Sequence, residues 1–63
     1  MRVFHVVFYA NRADYYSVGK NYTTDKTGEV EAVKDILDQW EEEYPAGNYP
    51  DKQFFAIHPV QAI

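Results

Sequence analysis

The chain has 63 residues, ten of them acidic and six basic, a formal net charge of −4, and no cysteine. That length fits one domain with a thin core, since a chain this short buries only about 60% of the surface its unfolded form exposes. Disulfides and thiolate zinc sites are excluded, and the acidity opposes binding through nucleic-acid phosphates, which requires clustered Lys and Arg.

Chains of this size make up the deficit with bulky side chains or with a second subunit. Six Tyr, four Phe and one Trp offer the first remedy. No apolar run approaches the roughly 20 residues of a membrane span. The opening MRVFHVVFYANRAD lacks the length and the small-residue cleavage site of a signal peptide. The expected location is the cytoplasm, a host cytoplasm if the chain is viral.

Residues 2–10 (RVFHVVFYA) are rich in β-branched and aromatic types and read as the first strand. Phe4, Val6 and Phe8 point to one side; Val3, His5, Val7 and Tyr9 point to the other. Both sides are largely apolar, which marks a central strand. Residues 15–22 (YYSVGKNY) form a weaker second strand in which Tyr16, Val18 and Tyr22 alternate. Gly19 there signals a bulge or a close approach. The connection Asn11–Asp14 makes the pair a hairpin.

Thr23–Lys26 reads as polar turn. Residues 28–44 carry the helix, with Thr27 as the preferred N-cap and Asp25 as the alternative. The segment Thr27–Tyr44 holds seven of the ten acidic residues. At about 100° per residue, Val30, Val33, Leu37, Trp40 and Tyr44 share one stripe, flanked by Ile36. Glu31, Asp35, Asp38 and Glu42 fall on the opposite side. Pro45 stops the helix. After the turn-rich PAGNYPD, residues 52–58 (KQFFAIH) form the last strand, closed by Pro59.

The order β-β-α-β describes a single α+β domain spanning 1–63. A right-handed crossover through the helix puts the third strand beside the first, giving the spatial order 2-1-3. The helix covers one face of the sheet. The other face is left bare with Val3, His5, Val7 and Tyr9 upon it, and the third strand is an edge without a charge between Lys52 and its end. A homodimer through that face or that edge follows, with His5, Val7, Tyr9, Phe54 and His58 as its residues. On the third strand either parity is apolar: Phe55 and Ile57, or Phe54 and Ala56.

Chemistry-bearing motifs are sparse. Ser17 is the only serine, and no G-x-S-x-G elbow surrounds it to join His5 or His58 and Asp14 in a triad. Gly19, Gly28 and Gly47 are isolated and form no phosphate loop. His5 and His58 lie on neighbouring strands without a tight metal motif. No cofactor, metal or catalytic residue is therefore expected.

The acidic row Glu31, Asp35, Asp38 and Glu42 is the feature most suited to a partner. Its carboxylates recur about every 5 Å along the axis, against a phosphate about every 3.4 Å along a DNA strand. The plain alternative is a solvated face that keeps a small protein soluble. Like charges four residues apart, and Glu41–Glu43 at the negative end of the helix dipole, oppose the helix by a few tenths of a kcal/mol each. The sequence points to a non-catalytic, acidic protein-interaction module. Its physical type is that of a phage- or virus-encoded inhibitor of a host enzyme or defence system, acting by occlusion or nucleic-acid mimicry on a basic surface or groove. The alternative is a domain that binds a small molecule or single-stranded nucleic acid on the aromatic sheet face or in a dimer pocket.

Overall fold

The computed structural model describes residues 1–13 and 16–60. Four elements appear in the order β1 (Arg2–Tyr9), β2 (Val18–Thr24), α1 (Glu29–Glu43) and β3 (Gln53–Val60). The sheet is fully antiparallel, ordered β2-β1-β3, and α1 lies across one face. This is the ββαβ fold expected from the sequence. β1 is central, pairing with β2 on one side and β3 on the other, and carries apolar side chains on both faces along its length.

Strand alternation decides what is buried. Phe4, Val6 and Phe8 point under the helix and are almost fully covered, while Val3, His5, Val7 and Tyr9 are half-buried on the other face. From α1 the core receives Ala32, Ile36 and Trp40, one position per turn, and from β2 it receives Tyr22. The stripe is therefore rotated from the expected one. Val30 is 78% exposed, and Val33 and Leu37 only flank the core. Ala32 takes the innermost place because its small side chain lets the helix backbone approach the sheet.

Aromatic rings supply much of the missing core. Trp40 packs edge-on against Phe8 (5.4 Å between centroids) and Phe54 (5.9 Å), Phe8 continues to Tyr44 (4.7 Å), and Tyr44 to Tyr49 (5.0 Å). These edge-to-face contacts add to the apolar area each ring removes from water. The run ties β1, the helix end, the 45–51 loop and the start of β3 into one unit.

Element boundaries differ from those read in the sequence, most of all in β2, at the helix start and at the end of β3. β2 begins later, leaving Tyr16 in the loop and 68% exposed; residues 14 and 15 lie outside the described residues. It also runs through Thr23 and Thr24, which pair with Val3 and Arg2. Two β-branched threonines continue a strand readily once a neighbour is present, and Thr24 is buried with its Oγ1 accepting from the Lys26 amide at 3.1 Å. The N-cap is Gly28, neither Thr27 nor Asp25, and no side chain caps the helix start. The Glu31 carboxylate instead folds back over Gly28, into space a Cβ there would need. β3 continues through Pro59 to Val60, which an edge strand allows, since the missing N–H need not face a neighbour.

Candidate functional site

Two surfaces remain after the core is assembled: the outward side of α1 and the sheet face it does not cover. Ion pairing organises the first. Each strand, or the residue before it, sends one base to one helix acid: Arg2 to Glu29, Lys20 to Glu43, and Lys52 to Glu41 at 2.6 Å. Lys52 is the most embedded of these, its side chain only 10% exposed. Its Nζ also donates to the Tyr44 carbonyl at 2.6 Å and lies 4.5 Å from the centre of the Trp40 ring. A cation from another part of the chain thus satisfies the helix C-terminus, where α1 has no basic residue of its own. The acids at the wrong end of the dipole are answered in this way. Long-range pairing of this kind leaves no local signal in the sequence.

What the strands leave untouched is the row Glu31, Asp35, Asp38 and Glu42. None of the four forms an ion pair among the described residues, and Asp35 alone receives a side-chain hydrogen bond, a long one from Gln39 Nε2 at 3.4 Å. Glu31, Asp38 and Glu42 are exposed; Asp35 is half-buried. Lys26 and Lys34 border a shallow depression with Glu31, Asp35 and Asp38. Glu42 does not border that depression. Gln39 also donates to the Thr23 carbonyl at 2.7 Å, which fixes this side of the helix above β2. On the opposite flank, Val30, Val33 and Leu37 line an open groove edged by Glu29, Lys34 and Asp38.

The second surface is the bare sheet face. Register places His5 directly opposite His58 and Val7 opposite Ala56 on the β3 side, with Asn21 and Gly19 as their partners on β2. The two histidines thus share one face, as neighbouring strands allow. The Nδ1–H tautomer of His5 donates to Asn21 Oδ1 at 2.7 Å, and its ring lies down over Gly19. A Cβ at Gly19 would meet the imidazole at 2.5 Å, so the glycine serves a close approach.

A β-bulge between Val7 and Phe8 resolves the parity of β3. Phe54 sits opposite Phe8 and against Trp40, on the helix side, so it does not join His5, Val7, Tyr9 and His58. Phe55 takes its place, 66% exposed and edge-on to Tyr9 at 6.3 Å. Ile57 returns to the core side. The extra residue of the bulge flips the alternation, and so each of the two expected parities holds for half the strand.

Charge separates the two surfaces. Arg2 and Lys20 are the charged residues of the three strands, and both stand in register with helix-facing positions. The bare face carries aromatic rings but no cation on its strands to hold a phosphate, which counts against single-strand binding there. Among the described residues no group of three His, Asp or Glu is placed to hold a metal, and Ser17 is exposed in the loop before β2. The Asp14 of the nominal triad lies outside the described residues. No described helix is long and apolar enough to cross a membrane.

One polar pair lies inside. Tyr22 Oη and Trp40 Nε1 are buried with no hydrogen-bond partner among the described residues. Burial first, and the neighbouring Tyr44 second, push the Tyr22 phenol above its ordinary value.

No protein-family model matches the chain, and no curated protein or solved structure is significantly similar to it.

Proposed function

We propose that this chain is a non-catalytic, acidic protein-interaction module that binds a basic partner surface through Glu31, Asp35, Asp38 and Glu42. The observation that carries the proposal is the pattern of neutralisation. Arg2, Lys20 and Lys52 pair with Glu29, Glu43 and Glu41, so the strands' bases leave the four acids of the outward row to Lys26 and Lys34 alone at its border. A solvated face needs no such sorting. Exposed carboxylates on a rigid helix raise the encounter rate with a positive patch and fix the orientation of docking. A partner whose basic groove normally takes a phosphate backbone would be occluded by the row, which makes inhibition the functional form favoured here.

The test compares the native chain with a variant carrying Glu31→Gln, Asp35→Asn, Asp38→Asn and Glu42→Gln. Both are used as bait for proteins of the native host, and the captured partner is then titrated at rising salt. The proposal expects capture by the native chain only, with affinity falling steeply as salt rises. Equal affinity of the two chains for the same partner removes the row from the binding site.

A further inference from the structure

The sheet face not covered by α1 has the chemistry of a surface made for its own copy, and we propose that two chains associate face to face through it. Both basic strand residues, Arg2 and Lys20, stand on the helix side, so the strands put no Lys, Arg, Asp or Glu on the bare face while the chain as a whole carries −4. Two acidic molecules repel across most orientations. This face lets them meet with no charged strand residue at the contact. Val3, Val7 and Tyr9 lie half-buried on it with Phe55 exposed beside Tyr9, and between Val3 and Val7 the His5 ring sits beside Asn21 and His58.

Shape agrees with chemistry. Gly19 lets the His5 ring lie flat, so the largest group at the centre does not stand away from the sheet. Facing sheets pack about 10 Å apart, which requires low, interdigitating side chains. The molecule is only 14 Å through its thinnest dimension, so a second layer of strands would convert a two-layer unit into a four-layer one with the sheets inside. Three strands of seven or eight residues span roughly 14 by 27 Å at ordinary strand spacing and rise. That is only about 380 Å² of flat area per copy, below the size of standard specific interfaces, so the expected association is weak and transient. A two-fold axis is the simplest symmetry for one patch meeting itself.

The edge of β3 is the less suitable route. Pro59 interrupts its donors, and the bulge at Val7/Phe8 bends its line. The face-to-face arrangement directs the two carboxylate rows to opposite outer sides. It therefore stands or falls independently of the row's partner.

Sedimentation equilibrium of the intact chain from micromolar to millimolar concentration tests the proposal. The native chain is expected to rise toward twice the monomer mass, and to do so more readily at high salt, which screens the mutual repulsion. Val7→Lys and Phe55→Asp are each expected to remain monomeric with unchanged circular dichroism. They alter net charge in opposite directions, so altered net charge cannot explain a shared loss. Phe55 is exposed, which keeps the test open should the Val7 variant fail to fold. Val30→Asp, on the helix flank, is expected to dimerise as the native chain does. A native chain that stays monomeric overturns the proposal. A dimer that survives Phe55→Asp, or that weakens with salt, overturns it as well.

Discussion

The outward row of α1 and the bare face of the sheet both meet solvent, yet they are made of opposite materials. Among the described residues the row's four carboxylates form no ion pair, whereas the strands put no Lys, Arg, Asp or Glu on the bare sheet face. In a chain where a quarter of the residues are charged, such separation needs an arrangement that achieves it. The arrangement is the inner side of the sheet. Arg2 and Lys20 there, with Lys52 just before β3, draw the flanking helix acids into pairs. One surface is thereby left with long-range electrostatic attraction and the other with short-range apolar contact. Salt should weaken what the first does and strengthen what the second does.

The largest expected effect destroys both surfaces together. Phe8 is fully buried between Trp40 and Tyr44, and Phe8→Ala should cost about 3–5 kcal/mol. A 63-residue domain holds about 3–9 kcal/mol in all, so thermal circular dichroism should show a steeply lowered unfolding midpoint. Lys52→Met comes next, because it strands the Tyr44 carbonyl and releases Glu41. Urea unfolding should show a loss of about 1–2 kcal/mol, and the acidic field should widen toward the helix C-terminus.

Tyr22→Phe changes neither surface and should act on stability alone. It removes a buried hydroxyl that has no partner among the described residues, so a gain of about 1 kcal/mol is expected by urea unfolding at neutral pH. The native chain should also lose stability in alkali. Its phenol is held above the unfolded value of about 10, so the contribution is complete below that pH and declines as pH rises through the folded value. The variant should lack that part of the decline. The smallest change in stability is expected from Gly19→Ala, about 1 kcal/mol or less, as the His5 ring tilts away from the new methyl group. Sedimentation should nevertheless show weaker self-association, since the tilted ring stands out of the face.

The parts of this design that follow a local period are legible in the sequence. Alternation along β1 separates Phe4, Val6 and Phe8 from Val3, His5, Val7 and Tyr9 without any structure, and the acidic side of α1 emerges from helical spacing alone. The parts set by long-range contact are not. Thr23 and Thr24 read as turn until β1 supplies their partners. Ala32 is too small to weigh in a hydrophobic pattern, yet its smallness is why it faces the sheet in place of Val30. The bulge in β3, which exchanges Phe54 for Phe55 on the bare face, has no local signature between two equally apolar parities. The three bases that pair with the helix acids come from three separate stretches of chain, so their joint effect appears only once the sheet is assembled.

Chemical-shift mapping of the intact chain during titration with an oligo-lysine peptide is the most direct measure of this charge sorting. The account predicts salt-sensitive shifts concentrated on the amides of Glu31, Asp35, Asp38 and Glu42, with the strands nearly silent. Shifts centred on Glu29, Glu41 and Glu43, or spread evenly over helix and sheet, would contradict it.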